Sequence, residues 1–302
     1  MRKYDYAYRD QYSKHLLIIR GLREQTFKNY SREIELFLEF VEKEFGEQTC
    51  DPVKIEPIHI LKYLNSVGNK RGDPLNSRYR ILIALRSYYD FLERYNYLQG
   101  KLNPTLRFKL KRPKKKLPIY LTLEEAERFL EAANTGPDAV RDHAMFRFFL
   151  QTGCRIGELL SLRLDKSFDF DNRKVRIIGK GDKERILKLS EKTYRALQLY
   201  LAERKPFSAQ EQAVFLNSRG QAISAAEIRK QFKITCEKAE LNKPGLTVHK
   251  LRHTCLTLLL NAGADLVTLK YIAGHSKIQT TAQYLHVTQK QLREAVEKLP
   301  YG

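Results

Sequence analysis

Over the first hundred residues the apolar positions recur at helical spacing. In LREQTFKNYSREIELFLEFVEKEF they fall at Phe27, Tyr30, Ile34, Leu38 and Val41, which predicts one long amphipathic helix. IEPIHILKYLNSV predicts a second, shorter one. NSRYRILIALRSYYDFLERYNYL predicts a third, with Tyr79, Ile83, Leu85 and Tyr89 inward and its arginines outward, entered through a turn at Asp73-Pro74. Three such helices make a small bundle with basic outer faces.

Further on, the punctuation is sharper. Thr122 and Glu125 form a capping box, so a helix begins near Leu123. DAVRDHAMFRFFLQT is another helix, which Gly153 is placed to end, and RIGELLSLRL follows as a short one. RKVRIIG and ERILKLS alternate like strands around Lys180-Gly181-Asp182-Lys183, which predicts a hairpin with Lys180 at its tip. Ser190 and Ser224 each precede a helix, the second with Glu227 closing a capping box. Thr247 is expected to cap a helix carrying His249 and Arg252, Gly263 to stop it, and Asp265 to cap the next. The fold class is therefore mainly α with a small antiparallel β-hairpin or sheet (α+β). Its expected domains are a helical bundle over 1–106, a linker over 107–117, and a second domain over 118–302 ending in an amphipathic helix over 289–299, where Leu292, Val296 and Leu299 share a face.

Charge changes this picture from two packed domains to two domains with a partner. The 302 residues carry 55 basic and 35 acidic side chains, a formal net charge of +20. Residues 1–116 have 25 basic against 14 acidic and residues 117–302 have 30 against 21, so both halves attract a polyanion. Between them RFKLKRPKKK has seven basic residues in ten, and Pro113 interrupts any helix. Its Lys109, Lys111, Arg112, Lys114, Lys115 and Lys116 are candidates for phosphate contact. The four cysteines have no CxxC spacing, which disfavours a zinc site or disulfide framework. No stretch reads as a membrane span or signal-peptide core, so a cytoplasmic protein with reduced thiols is expected.

The candidate chemistry lies in the second domain. Arg155, Lys180, His249, Arg252 and His275 can carry or donate positive charge, and Tyr284 is a phenol able to act as a nucleophile. Two guanidiniums, Arg155 and Arg252, suit the non-bridging oxygens of a phosphodiester. His249 is the candidate base for Tyr284, His275 a donor to a phosphate oxygen, and Lys180 the acid for a leaving 5′ oxygen. Glu158, three after Arg155, is placed to orient that arginine. No carboxylate cluster suggests a metal, GKGDK is not a P-loop and HKLRH is not HExxH.

The strings TGCRIGELLSLRL, IIGKGDKER, HKLRHT and GHSKIQTTAQYLHV resemble, box by box, the tyrosine recombinase family, in particular its Xer-like and phage-integrase-like members. The resemblance is strong over 121–288 and looser over 20–105. Ala273, Cys154 and Cys255 depart from the usual residues without removing a chemical group, and no long insertion of the integron type precedes HKLRHT. The resemblance implies a C-shaped clamp on duplex DNA, site-specific recombination through a 3′-phosphotyrosyl intermediate and a Holliday junction, and no cofactor or metal. It also implies a homo-tetramer on two sites, with or without a partner recombinase, in which 289–299 docks on a neighbouring subunit. A type IB topoisomerase or a non-catalytic DNA-binding accessory factor are the alternatives. The separate N-terminal bundle disfavours the first, and the intact residue set disfavours the second.

Overall fold

The computed structural model describes residues 6–68, 74–109, 119–179 and 181–275. The chain divides into two compact units, Met1–Lys116 and Leu117–Gly302. No described helix is long and apolar enough to cross a membrane.

The first unit is helical. Arg9–Lys14 (α1) runs on through a π-helical turn, His15–Ile19, a helix not anticipated from the apolar spacing. Glu24–Phe45 (α2) buries Phe27, Ile34, Leu38 and Val41, four of the five expected positions; Tyr30 is half-buried. Pro57–Gly68 (α3) and Pro74–Arg94 (α4) complete the bundle. The inward face of α4 differs from expectation. Tyr79 and Ile83 are half-buried, while Ile81, Leu82, Leu85, Tyr88, Tyr89 and Leu92 are buried. Since α4 packs on both α2 and α3, its buried face is wider than a single stripe. Arg86 does not point outward either. It turns in, donating to the carbonyls of Thr105 (3.1 Å) and Phe108 (2.7 Å), and so holds the chain that follows against α4.

Tyrosines in this core keep their hydroxyls satisfied. Tyr12 donates to Ser87 (3.0 Å), Tyr88 donates to the Ala7 carbonyl (2.6 Å), and the Tyr6 and Ser31 hydroxyls lie 2.7 Å apart. Buried phenols need such partners, and these three bonds tie α1 and the residues just before it to α2 and α4.

The second unit is built around Ala139–Thr152 (α6), which packs on Leu123–Ala133 (α5), Glu191–Glu203 (α9) and Val248–Asn261 (α11). Phe129, Phe146, Phe148, Phe149 and Leu251 fill the centre. The capping boxes Thr122–Glu125 and Ser224–Glu227 form as expected, the latter opening Ala225–Lys238 (α10). Asp265 caps Leu266–Ala273 (α12). Thr247 occupies the N-cap position of α11, but its side chain makes no cap hydrogen bond.

RIGELLSLRL is not one helix. It breaks into Ile156–Leu160 (α7) and Leu164–Ser167 (α8). The chain then forms a three-stranded antiparallel sheet in the order β1-β2-β3: Phe168–Asp169, Lys174–Ile178 and Glu184–Lys188. The hairpin is as expected; the short β1 is additional. Gly179 N–H donates to the Lys183 carbonyl (2.8 Å), and Gly181 and Asp182 turn the chain with φ of 72° and 53°. These are left-handed conformations that Gly and Asp take at low cost.

Candidate functional site

Four chain segments meet at one place in the second unit. The first is the turn between α6 and α7. Gly153 ends α6 in the left-handed conformation (φ 56°), which throws Arg155 out as the N-cap of α7. A side chain at 153 would also press on the Cys255 sulfur, 3.3 Å from where a Cβ would stand. Glu158, at the third position of α7, reaches back. It accepts from the Arg155 backbone N–H (3.0 Å) and from the Arg155 guanidinium (2.7 Å). The Arg155 side chain remains 39% exposed while Glu158 is 6% exposed, so the carboxylate anchors the arginine and leaves its face open.

The second segment is β3. Its Arg185 is buried and donates to Glu158 Oε2 (2.8 Å), the oxygen that also accepts the Arg155 backbone N–H. Burial opposes ionisation of Glu158, but the hydrogen bond and charge of Arg185, followed by the hydrogen bonds from the backbone and side chain of Arg155, outweigh it and hold the carboxyl below the usual range.

The third segment is the first turn of α11. Arg252 is 2% exposed. It donates to the carbonyl of Gly153 (2.5 Å) and to that of Ala273, and it lies 2.9 Å from His275 Nε2. One buried guanidinium thus gathers the loop carrying Arg155 and the loop carrying His275, the fourth segment. A guanidinium has N–H donors and no acceptor, so His275 Nε2 accepts in this contact, and the neutral ring carries its proton on Nδ1. Burial, then the charges of Arg252, Arg155 and Arg185, push the His275 pKa down to about 4. His249 lies at the surface of α11, its ring 5.3 Å from His253 in edge-to-face contact. Desolvation, then Arg252 and Arg155, lower its pKa also. Both imidazoles are therefore neutral at pH 7, and His249 is suited to take a proton.

Arg155 and His249 open onto a pocket of about 590 Å³, where Arg229 and Lys233 stand beside Phe232 and Val248. Cationic walls over an apolar floor can hold an anion and exclude part of its water. Among the described residues, no group of three His, Cys, Asp or Glu is disposed to hold a metal ion.

Arg155, Glu158, His249, Arg252 and His275 are thus brought together. Lys180 and Tyr284 lie outside the described residues, as do Lys111, Arg112, Lys114, Lys115, Lys116 and the 289–299 helix. Lys109 is exposed. Sequence reasoning missed Arg185. The signal was an arginine at an inward strand position, in register with Ile177 and flanked by the outward Ile186, against the alternation of its neighbours.

An anchored cluster of guanidiniums and neutral imidazoles in a mostly helical unit has the chemistry that suits a phosphodiester. The comparisons sharpen this. Residues 120–291 match the model of the phage integrase family, and residues 10–96 match that of the phage integrase N-terminal SAM-like domain. The chain is 33% identical to the tyrosine recombinase XerC of Caldanaerobacter subterraneus subsp. tengcongensis, across 96% of this chain and 86% of that protein. It is 32% identical to the tyrosine recombinase XerD of Listeria monocytogenes serotype 4b, across 94% and 95%. Among solved structures, XerH bound to its difH substrate in a pre-cleavage complex superposes with a TM-score of 0.72 at 25% identity, covering 96% of this chain and 84% of that one. The chain belongs to the phage integrase family of tyrosine recombinases. Neither the topoisomerase nor the accessory-factor alternative is favoured by these matches.

Proposed function

We propose that the protein is a site-specific recombinase that cleaves and rejoins duplex DNA. The observation that carries this reading is Arg252. It is buried, hydrogen-bonded to the loops that bear Arg155 and His275, and so holds a cationic cluster in place before any substrate arrives.

In this reading the scissile phosphate lies against Arg155 and Arg252, with His275 donating to a non-bridging oxygen. His249 takes the proton of Tyr284, whose oxygen attacks phosphorus. The bond from phosphorus to the 5′ oxygen breaks, Lys180 protonates that oxygen, and the 3′ end stays esterified to Tyr284. A 5′ hydroxyl from the partner duplex then reverses the chemistry, and two rounds pass through a Holliday junction. The phosphotyrosyl ester conserves the bond energy, so no nucleotide is consumed.

The domain plan of a DNA-binding bundle (1–106), a basic linker (107–117) and a catalytic domain (118–302) fits the charge of both halves. Lys109, Lys111, Arg112, Lys114, Lys115 and Lys116 lie against phosphates in this plan, and the two domains clamp the duplex. Four subunits act on two sites in the cytoplasm, with 289–299 docked on a neighbour. The test is a nicked suicide duplex from the genetic neighbourhood of the protein, incubated in the presence of a chelator. A covalent complex on a denaturing gel that disappears in Tyr284→Phe supports the reading; tight binding without a complex refutes it.

A further inference from the structure

Arg185 is not accounted for by the chemistry above. It is 3% exposed, among the least accessible charged side chains described, and sits at an inward position of β3 where an apolar residue would pack. Its guanidinium is not fully satisfied, since Nε is buried and meets no acceptor among the described residues. A buried donor without a partner costs free energy that the hydrogen bonds made by the rest of the side chain have to offset. What the side chain does reach is informative. Its Nη2 holds Glu158 Oε2, the carboxylate that clamps Arg155. Its guanidinium also lies under Gly274, with Nη1 only 3.0 Å from where a Cβ would stand. Gly274 has φ +60° and immediately precedes His275. Arg185 and His275 border one pocket of about 270 Å³, together with Lys183 from the end of the hairpin turn.

We propose that Arg185 is a positioning residue for strand cleavage: through Glu158 it fixes the Arg155 guanidinium, and through its packing beneath Gly274 it keeps that guanidinium in step with the His275 loop and the hairpin. The proposal rests on the recombinase reading. Arg185 need not touch the DNA. It sets where Arg155 meets a non-bridging oxygen of the phosphate.

That role predicts a dependence on the charge of the phosphate. Single-turnover cleavage by the full-length protein is measured on two suicide duplexes, one ordinary and one in which a methyl group replaces a non-bridging oxygen of the scissile phosphate, making it neutral. Arg185→Met is expected to slow covalent-complex formation about 100-fold on the ordinary duplex. Its affinity for that duplex stays within about threefold of the unaltered protein, because the residue is buried away from phosphates. On the neutral duplex, where holding a negative oxygen no longer matters, the loss shrinks to about threefold. Arg185→Lys keeps a cation beside Glu158 and the fold with it, and gives the same pattern at about tenfold; it is the informative variant should Arg185→Met not fold. Equal losses on both duplexes in a folded variant overturn the proposal in favour of a purely structural role, and so does the absence of any loss. Failure of the unaltered protein to form a covalent complex on duplexes it binds overturns the recombinase reading and this proposal with it.

Discussion

The two units have nearly the same excess of basic residues but place it differently. Among the described residues of the first unit no lysine or arginine is buried; the polar groups inside are hydroxyls, amides, imidazoles and Glu33. The second unit buries Arg141, Arg185 and Arg252. Exposed cations attract a polyanion from a distance and hold it loosely. A buried guanidinium costs desolvation that only a fixed set of partners offsets, and in return it has one orientation. Total charge therefore speaks of the partner, while two of the three buried guanidiniums, Arg185 and Arg252, lie among the residues of the candidate site and Arg141 pairs with Asp138 and Asp142 elsewhere.

The contrast can be broken most directly at Arg252. Arg252→Lys keeps the charge but cannot hold Gly153 and Ala273 together, so single-turnover cleavage should fall by about 10²–10³-fold with duplex affinity little changed. A cleavage rate within threefold of the unaltered protein would refute the assembly role. Next come two arginine–glutamate pairs, Arg185–Glu158 in the second unit and Arg80–Glu33 in the first. Glu158→Gln leaves Arg185 buried without its anion and should cost about 3–5 kcal/mol in a urea titration. Glu33→Gln in the first unit leaves behind only an arginine that is 64% exposed and solvated, and should cost less than about 1 kcal/mol. Equal costs would erase the distinction between the units.

Acid sharpens the comparison further. Burial and the surrounding cations hold His253 and His275 at about 4, below the ordinary 6.5. Between those values the unfolded chain binds more protons than the folded one, so stability is complete above pH 6.5 and declines as pH falls toward 4. The thermal midpoint should drop by several degrees from pH 7 to pH 5; a level or rising midpoint contradicts the assignment. Tyr12→Phe deletes one buried hydrogen bond in the first unit, a loss of about 1 kcal/mol with no change in cleavage. The smallest effect is that of Lys109→Ala, which should lower the slope of log affinity against log salt by about one and leave sequence preference unaltered.

Much of this was legible in the chain. Helices announced themselves where a capping side chain could be paired with an apolar stripe, as at Thr122, Ser224 and Asp265, because both signals are local. The α4 face was misread because its width depends on having two helical neighbours, which no local spacing records. Arg155, Glu158, His249, Arg252 and His275 were legible as residue types that suit a phosphate, and the structure brings these five together. Arg185 was not legible, since what it touches is a carboxylate 27 positions away and the glycine that follows α12. The break in RIGELLSLRL and the additional strand β1 likewise depend on neighbours that are distant in sequence.

The hydrogen bonds of Arg252 span 99 positions to Gly153 and 21 to Ala273. Contacts between such distant parts of a chain form late in folding, after local helices and hairpins are in place. A chain emerging from the ribosome holds Arg155 and its carboxylate long before Arg252 and the His275 loop are made. A nascent chain therefore carries the charge that attracts a polyanion before its cluster of guanidiniums and imidazoles is assembled, so attraction and assembly are separated in time by the order of synthesis.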